Sequence, residues 1–496
     1  MEEHKHEREN LIIVESVWVN GILTPATLSG DGKIRWTENQ ERCLILEKEV
    51  LGFVVEGSKI RIKAVVEKES GFSCVVNRGI RVRRDFVFEP LSQESHQLWC
   101  QKLQECIDSL DRPRRLLIIM NPFGGKKYAS KIFQDEVEPL LEAANVQYTV
   151  QETQYQLHAK EIAQQLDLSK YDGIVCVSGD GVLVEVVNGL LQRDDWAAAI
   201  KMPLGIIPAG TGNGMIKSLL DSVDDSCSVT NATLVVIRGH KCSLDVVTVS
   251  QGQTRFFSIL MLAWGLIADI DIESEKYRWM GSARLDFYAL LRIIYLRKYN
   301  GRVSFVPAPG YEAYGEPSNQ SGAHPSKLHI CGQGQEDTVN IGQCGYQGPP
   351  VSLNDLEWRT IDGPFISVWL HNVPWGSEDT MAAPNAKFSD GYLDLIIMRD
   401  CTRASILASM SKLNDGSYVK LPNVLYLKVK AFVLEPGQHS DCPTKGGIID
   451  SDGEVLARGE GTYKSERKRD LMVYDSIQMT VDQGLATLFS PVDIIS

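Results

Sequence analysis

Three short runs of apolar residues, each followed by a glycine-containing turn, constrain the fold of this chain more than any other feature. The runs are LLIIM at 116–120, GIVCV at 173–177 and LGII at 204–207, and amphipathic helical stretches separate them. Short apolar runs that alternate with helices are typical of a parallel sheet covered on both faces. The sequence therefore predicts a doubly wound α/β lobe, which we place at residues 111–228.

Strand-like sequence also precedes this lobe. Between residues 11 and 89, short β-branched and aromatic runs alternate with Gly, Asn and Asp turns, as in a meander of antiparallel strands. A helical pattern follows, because apolar residues recur at spacings of 4, 3 and 4 from Trp99 to Leu110. We therefore predict a small β-rich domain at residues 1–110, and its strands followed by one helix resemble the pleckstrin-homology architecture.

Strand-like runs return after the α/β lobe. TLVVIRG, SLDVVTVS, ISVWLHN and YLDLIIM predict an antiparallel β-sandwich lobe at residues 229–496, with one helical region around 277–298. Residues 307–362 are rich in Gly, Pro, Ser, Asn and Gln and contain few large apolar side chains, which predicts a flexible surface insertion. The predicted fold class is therefore α+β multidomain.

The composition excludes several classes of protein. A chain of 496 residues can bury at least two cores. Its 51 Lys and Arg against 64 Asp and Glu give a net charge of −13, which argues against a dedicated nucleic-acid binder. The 11 cysteines are scattered without a Cys-x-x-Cys pair, and residues 1–10 have no apolar run, so we expect reduced thiols and a cytoplasmic location.

Membrane contact, if present, is expected to be peripheral. The longest apolar stretch, 256–268, falls short of the roughly 20 residues that a spanning helix needs. A basic strand could face anionic lipid, although a solvated strand face is the favoured interpretation. Its residues are Arg78, Arg81, Arg83 and Arg84.

The turns after the apolar runs carry groups that can bind phosphate. The first turn is NPFGGKK at 121–127, the second is SGDG at 178–181, and the third is AGTGN at 209–213. Glycines at the carboxyl edge of a parallel sheet let backbone N–H groups approach a phosphate, and helix amino ends add positive potential. Any one of them alone is as consistent with an ordinary turn, and no Walker A pattern is present. Three in succession favour a nucleotide site, with Asp180 as the best catalytic candidate.

In order and spacing, N-P-x-G-G-K, S-G-D-G-x-x-x-E-V-V-N-G-L and P-A-G-T-G-N resemble the diacylglycerol kinase catalytic domain superfamily. The segment AWGLIADIDIESEKYR at 263–278, with Arg284 after it, narrows the resemblance to the sphingosine (long-chain base) kinases. The similarity covers roughly residues 112–305 and 363–490. The amino-terminal domain and the polar insertion lie outside it and together suggest a plant-type member.

The resemblance implies ATP-dependent phosphorylation of the primary hydroxyl of sphingosine or phytosphingosine, in a cleft between the two lobes. Asp180 matches the catalytic base. The positions that match nucleotide contacts are Asn121, Pro122, Phe123, Gly124, Gly125, Thr153, Glu185, Gly210, Thr211, Gly212, Arg278, Arg284, Asp452, Gly453 and Glu454. The positions that match substrate contacts are Ser178, Gly179, Asp180, Gly181, Asp271 and Glu275. Mg²⁺ is expected with ATP, and its ligands are left open.

The chemistry of the residues agrees with these roles. Phosphoryl transfer needs an in-line nucleophile and neutralised charge, and arginines such as Arg278 and Arg284 can bind phosphate with two donors. The apolar run 256–268 can line a lipid channel. It ends in acids suited to a protonated amine, of which Asp271 matches the residue that holds the amine in the resembling family.

Two other functions are weighed against this one. A kinase of a soluble dinucleotide or a neutral lipid would share the Gly-Asp-Gly turn, but the segment 263–278 argues against it. A non-catalytic lipid-binding scaffold is disfavoured because the expected polar residues are present. We expect the enzyme to act at a peripheral membrane surface, endomembrane or vacuolar, and the oligomeric state is left open.

Overall fold

The computed structural model describes residues 11–38, 40–68, 80–125, 128–281, 283–317, 345–350, 356–462 and 470–493, without the side chain of Arg278. In that part of the chain, no helix is long and apolar enough to cross a membrane. Lys126, Lys127 and Arg78 lie outside the described residues.

The amino-terminal domain is one antiparallel sheet followed by a helix, as its alternating pattern predicts. The sheet order is β4-β3-β2-β1-β7-β6-β5. Ser92 caps the helix by accepting a hydrogen bond from Ser95 N, and the helix buries Trp99 and Leu103 against the sheet. The elements are β1 (Leu11–Val19), β2 (Ile22–Ser29), β3 (Lys33–Thr37), β4 (Glu41–Ile45), β5 (Val50–Glu56), β6 (Lys59–Glu67), β7 (Arg81–Pro90) and α1 (Gln93–Asp108).

The α/β lobe contains the predicted parallel sheet. β11, β10, β8 and β9 lie side by side in that order, and each of the three apolar runs forms one of these strands. A π-helical segment, Phe133–Val137, joins α2 to α3. The elements are β8 (Arg115–Met120), α2 (Ala129–Ile132), α3 (Glu138–Ala143), β9 (Gln147–Glu152), α4 (His158–Gln165), β10 (Gly173–Ser178), α5 (Asp180–Leu191), α6 (Trp196–Ala199), β11 (Leu204–Pro208), α7 (Gly214–Asp221) and α8 (Val229–Arg238).

The strand predicted at TLVVIRG is wrong, because this segment is the helix α8. Ser228 caps its amino end by accepting a hydrogen bond from Asn231 N, and Gly239 ends it in the left-handed region at φ +80°. Seven residues of the helix are buried, and it packs against β11. The caps and this tertiary packing outweigh the weak helix propensity of its β-branched residues.

The remaining chain forms the β lobe. Its helix α10 agrees with the helical region predicted around 277–298, whereas α9, which precedes it across a 3₁₀ turn at Ser274–Met280, was not predicted. The elements are β12 (Lys241–Gln251), β13 (Thr254–Ser258), β14 (Met261–Gly265), α9 (Leu266–Glu273), α10 (Ala283–Ile294), β15 (Tyr299–Pro307), β16 (Glu316–Pro317), β17 (Arg359–Asp362), β18 (Ser367–His371), β19 (Trp375–Ser377), β20 (Thr380–Met381), β21 (Leu393–Met398), α11 (Arg403–Met410), β22 (Val424–His439), β23 (Ile448–Ser451), β24 (Glu454–Arg458) and β25 (Ile477–Phe489).

Strand β25 joins the two lobes. It pairs with β12 and β22 in the β lobe and, at Leu488, with Leu204 of β11 in the parallel sheet. The lobes therefore share one continuous sheet, which holds the carboxyl edge of the parallel strands beside the β lobe.

Parts of the predicted insertion are anchored. β17 pairs with β15, and Tyr346 donates a backbone hydrogen bond to Leu191 O and packs against Trp196. The prediction of a flexible insertion therefore does not hold at these two places. Residues 318–344 and 351–355 lie outside the described residues.

The amino-terminal domain is fixed to the α/β lobe by half-buried arginines. Arg81 binds Asp225 with two hydrogen bonds of 2.8 and 3.0 Å and also reaches Asn231 of α8. Arg112 donates to the carbonyls of Leu46 and Val50 at 2.8 and 2.9 Å. Arg81 therefore serves the contact between domains, and the alternative that it faces lipid is wrong.

Candidate active site

The three glycine turns meet at the carboxyl edge of the parallel sheet. Gly125 has φ +51°, and a Cβ added there would lie 2.8 Å from Ala209 O. A Cβ added to Gly210 would lie 2.2 Å from the Cα of Gly179. Side chains at these positions would separate the turns, so glycine is required for the backbones to approach this closely.

The first turn is shaped by the side chain of Asn121. Its Oδ1 accepts hydrogen bonds from Phe123 N at 3.0 Å and Gly124 N at 3.1 Å. Phe123 is 65% exposed beside this turn, and Pro122 lies between the bonded residues. The turn is thus preformed, with an aromatic ring at its surface.

Asp180 links the second turn to the third. It begins α5, yet its carboxylate accepts hydrogen bonds from Gly214 N at 2.8 Å and Met215 N at 3.1 Å at the start of α7. The side chain of Asn213, the residue before α7, makes no capping bond, so Asp180 caps this helix from a distance in sequence. Burial raises the pKa of Asp180, although the two backbone donors oppose the shift.

Further polar groups surround Asp180. Ser178 is buried and its hydroxyl donates to Gly179 O at 2.8 Å. Asn213 Nδ2 donates to Glu378 at 2.6 Å, and the charge of Glu378 contributes to the raised pKa of Asp180. Glu378, which the sequence did not single out, therefore brings a second carboxylate from the β lobe to this place. Gly181 and Thr211 lie within the same two turns.

The cleft between the lobes is crossed by a hydrogen bond. Thr153 is buried at the end of β9, and Gln156, three residues later, donates to Glu454 of the β lobe at 3.0 Å. Glu185 lies below this loop and accepts a hydrogen bond from Ala159 N at 3.1 Å. Burial raises the pKa of Glu185 to about 7, and the charge of Glu454 adds to the shift. The structure therefore groups the predicted residues at 153, 185 and 454.

The side chain of Asp452 makes hydrogen bonds within the β lobe that the sequence did not predict. Its buried carboxylate accepts hydrogen bonds from the N–H groups of Ile259, Leu260 and Met261 at 2.6–3.0 Å. These bonds tie the connection between β13 and β14 to the turn that contains Gly453 and Glu454. The Asp452 side chain is thus directed into the β lobe, whereas an added Cβ at Gly453 would meet nothing within 4 Å.

The two predicted arginines lie in α10 and in the 3₁₀ turn before it. Arg284, in α10, donates to the hydroxyl of Ser274 at 3.1 Å and is partly exposed. The backbone of Arg278 lies in the 3₁₀ turn before α10, and its side chain lies outside the described residues. In the described residues, Arg284 is therefore bonded to Ser274 rather than to a glycine turn.

A narrow apolar cavity lies in the β lobe. Its volume of about 20 Å³ is room for about one water molecule, so a lipid chain requires its walls to separate. Its walls come from α9, β18, β21, α11 and the segment after α11. The lining residues are Leu266, Ile267, Ser367, Trp369, Ile396, Met398, Ile406, Ser409, Met410, Leu413 and Tyr418.

The apolar run 256–268 contributes little to this cavity. Only its residues Leu266 and Ile267 line it, whereas most of the run forms the core strands β13 and β14. Apart from Leu266 and Ile267, the run is therefore core rather than a wall of this cavity. The other walls were missed because they come from segments that lie 100 or more residues further along the chain and carry no distinguishing motif.

The four acids after the run divide into two sets. Arg297 donates to Asp269 at 3.1 Å and to Glu273 at 3.0 Å, and Arg292 lies 4.0 Å from Asp269, so these two carboxylates are paired with cations inside the lobe. Among the described side chains, none donates a hydrogen bond to the Asp271 carboxylate. Asp271 lies four residues after Ile267, and residues at this spacing share one face of a helix. A carboxylate therefore stands one turn beyond the cavity wall, and Glu275 follows it in the 3₁₀ turn.

Within the described part of the chain, no group of three or more His, Cys, Asp or Glu side chains is arranged to hold a metal ion. Mg²⁺ bound with a nucleotide takes most of its ligands from phosphates and water and only one or two from carboxylates. The neighbouring carboxylates of Asp180 and Glu378 fit that smaller requirement.

Two domain families match parts of this chain. Residues 115–249 match the family "Diacylglycerol kinase catalytic domain", and residues 357–466 match "YegS C-terminal NAD kinase beta sandwich-like domain". The chain thus has the two-lobe α+β fold of that superfamily, with a carboxy-terminal β-sandwich domain.

Relatives extend the similarity beyond the matched domains. Sphingosine kinase 1 of Arabidopsis thaliana is 59% identical over 98% of this chain and 99% of its own length. Sphingosine kinase 1 of Homo sapiens is 34% identical over 70% of this chain and 87% of its own length. A solved structure described as a putative diacylglycerol kinase from Bacillus anthracis str. Sterne has a TM-score of 0.47 at 17% identity, over 76% of this chain and 96% of that one.

Proposed function

The chain belongs to the sphingosine kinases, and on that premise we propose that it transfers the terminal phosphoryl group of ATP to the primary hydroxyl of a long-chain base such as sphingosine or phytosphingosine. The observation that carries the proposal is the position of Asp180. Its carboxylate lies where the glycine turns meet, with Oδ2 3.6 Å from a Cβ added to Gly212.

The glycine turns bind the phosphates of ATP. The turns lie at the carboxyl edge of β8, β10 and β11, and the amino end of α5 adds positive potential there. Phe123 lies exposed beside the first turn, and Tyr155, also exposed, lies on the loop that crosses the cleft. Both rings are positioned at the rim, where an adenine base can pack against an aromatic face.

Asp180 positions and deprotonates the substrate hydroxyl. As the bond from that oxygen to the γ-phosphorus forms and the bond from phosphorus to the β-phosphate oxygen breaks, the hydroxyl proton passes to the Asp180 carboxylate. Each oxygen of this carboxylate accepts one backbone hydrogen bond and has a further lone pair for the substrate. The raised pKa makes it a stronger base than an exposed aspartate.

Glu378, beside Asp180, would hold Mg²⁺ together with the phosphates of ATP. The ion would supply charge neutralisation on the transferred group. Arg284 and Arg278 would neutralise further charge once the lobes close on the nucleotide.

Asp271 binds the protonated amine of the base. Its carboxylate lies one helical turn from Ile267 of the cavity wall, and no described side chain occupies it. A neutral lipid has no cation for this carboxylate. The competing interpretation as a kinase of neutral lipids therefore leaves Asp271 without a role.

A membrane surface delivers the substrate. On α10, Leu290 and Ile294 are 54% and 60% exposed at helical spacing, and Trp279 nearby is 83% exposed. The same helix packs against α9, which contains Ile267 of the cavity wall. A lipid leaving an endomembrane or vacuolar membrane at this face would have a short path to the cavity, as expected of a peripheral enzyme.

The amino-terminal domain is a pleckstrin-homology-like module. Seven antiparallel strands followed by one helix with a buried Trp99 support this assignment. Its tight contact with the α/β lobe through Arg81 and Arg112 indicates a fixed part of the enzyme rather than a tethered domain.

The experiment is phosphorylation by the purified full chain with labelled ATP and a panel of sphingosine, phytosphingosine, ceramide and diacylglycerol. We expect label in the two free bases and not in ceramide, whose amine is acylated, or in diacylglycerol. Label chiefly in diacylglycerol would instead support the neutral-lipid alternative. No label in any lipid, with nucleotide still bound, would support the scaffold alternative.

A further inference from the structure

The apolar cavity contains one hydroxyl group without a hydrogen-bond partner. Ser367 is 2% exposed, and its Oγ bonds to no described residue. The other polar side chains of the wall are satisfied: Ser409 donates to Ser405 O, Tyr418 to Ala382 O, and Trp369 Nε1 to Met261 Sδ. Ser367 is thus an exception in a wall whose other polar groups are paired.

The register of the sheet fixes the direction of this side chain. In β18, Ser367 lies opposite Met398 and Trp369 lies opposite Ile396 of β21. All four line the cavity, whereas Val368 and Leu370, which alternate with Ser367 and Trp369 along β18, belong to the main core. Alternate residues of a strand point to opposite faces, so the Ser367 hydroxyl faces the cavity.

Leaving this hydroxyl unpaired costs stability. A buried donor or acceptor without a partner is unfavourable, whereas an alanine at the same place would carry no such penalty. An unpaired hydroxyl in an apolar cavity wall is therefore suited to bind a ligand that has its own hydrogen-bonding group at that place.

We propose that Ser367 binds a hydroxyl group on the chain of the substrate, beyond the amine, and so selects long-chain bases that carry a hydroxyl at carbon 4 over bases that lack it. This inference rests on the proposed function, because it takes the cavity as the site of the base. Serine can both donate to and accept from such a hydroxyl.

The spacing along α9 agrees with this assignment. Ser367 lies opposite Gly265, the residue before α9, and Asp271 is six residues beyond Gly265, or about 9 Å along a helix. The substrate would span a comparable distance. One hydrogen bond of about 2.8 Å would join Asp271 to the amine, a second would join Ser367 to the hydroxyl, and the hydroxyl is two carbons from the carbon that carries the amine. One substrate molecule can therefore reach both Asp271 and Ser367.

The test compares two saturated bases that differ only in the hydroxyl at carbon 4, phytosphingosine and dihydrosphingosine, in the full-length enzyme. For Ser367→Ala, we expect kcat/KM to fall about tenfold for the hydroxylated base, mostly through KM, and to change less than about twofold for the other base. Ser409→Ala is the matched control, because its hydroxyl lines the same cavity but is already bonded to the protein. It should leave the ratio of the two bases unchanged.

Ser367→Cys separates loss of the hydroxyl from loss of packing, because the thiol still fills the position of the hydroxyl but is a weak hydrogen-bond donor. It should lose selectivity in the same way while keeping the melting temperature of the wild type. If Ser367→Ala and Ser367→Cys changed kcat/KM by the same factor for the two bases, or changed it for neither base, the inference would be overturned. If the wild type phosphorylated neither base, the proposed function would be refuted instead.

Discussion

Gly179 and Gly210 lie in direct backbone contact, since a Cβ added to Gly210 would stand 2.2 Å from the Cα of Gly179 and 2.6 Å from its nitrogen. The second and third glycine turns therefore form one surface, in which Asp180 follows directly after the contact. The proposed phosphate site depends on the absence of two side chains as much as on any group that is present.

Gly210→Ala is expected to separate these turns. Backbone atoms cannot give way cheaply, so we expect a loss of about 1–3 kcal/mol in the free energy of unfolding and a large rise in KM for ATP. Urea unfolding and nucleotide titration measure the two effects. Gly181→Ala is the control for stability, because its added Cβ meets nothing within 4 Å. Equal stability of the two variants would contradict the contact.

Asp180→Asn is expected to abolish turnover and also to lower stability. The amide nitrogen would face an N–H of α7 in place of a carboxylate oxygen, which removes one of the bonds to Gly214 and Met215. We expect kcat to fall at least about 100-fold and a loss of about 1–2 kcal/mol in the free energy of unfolding. Near-normal phosphorylation by a folded variant would refute the role as a base.

Glu185 is expected to make stability depend on pH. Its folded pKa of about 7 exceeds its ordinary 4.5, so the folded state holds more protons between these values and stability falls as pH rises through that window. Glu185→Gln removes this dependence, so its stability relative to the wild type should increase from pH 5 to pH 8. Chemical unfolding at several pH values measures it, with the exposed Glu136→Gln as the control. A difference that stays constant with pH would contradict the buried position.

The glycine turns could be predicted from the sequence because both their residues and their place after a strand are local features. Strand order then brings them together without further information, as the parallel pairing of β8, β10 and β11 shows. The hydrogen bonds from Gly214 and Met215 to Asp180 could not be predicted in the same way. They join residues 34 and 35 positions apart whose spacing follows no helical or strand period.

Other parts of the molecule depend on tertiary packing. The β-branched run in α8 has the composition of a strand, and only its caps and its burial against β11 make it helical. The cavity walls combine α9, β18, β21 and α11, and apolar residues in those elements look the same whether they form core or cavity. Arg81 looks like a surface charge until Asp225 is placed opposite it.

Asp271→Asn is expected to weaken binding of the base selectively. The substitution keeps the shape of the side chain but removes the charge that attracts an ammonium group, so KM for sphingosine should rise about tenfold or more. KM for ATP should stay within about twofold. Asp286→Asn, which removes an exposed charge on α10, is the matched control. An unchanged KM for sphingosine in a folded variant would refute recognition of the amine by Asp271.

Charges on α10 are expected to weaken membrane binding. Leu290→Glu with Ile294→Glu replaces two exposed apolar side chains on one helical face, so co-sedimentation with phosphatidylcholine vesicles that contain 4-hydroxylated base should fall several-fold. Activity on base dispersed in detergent should change much less. Val473→Glu alters a residue that is 72% exposed outside this face and serves as the control. Equal loss of vesicle binding in the control would show that added charge alone, rather than this face, is responsible.

Arg112→Ala is expected to loosen the amino-terminal domain. The buried guanidinium donates to four carbonyls between Leu46 and Leu51, and its burial lowers its pKa to about 10. Without it these carbonyls lose their donor inside the interface, so we expect a loss of about 3 kcal/mol in the free energy of unfolding. Hydrogen exchange at residues 46–51 should accelerate before the parallel sheet is affected. Arg114→Ala is the matched control, because that side chain is 75% exposed and pairs only at the surface with Asp108. If both variants exchange at the same rate as the wild type, Arg112 does not fix the domain, and the contact of Arg81 with Asp225 is sufficient to hold it.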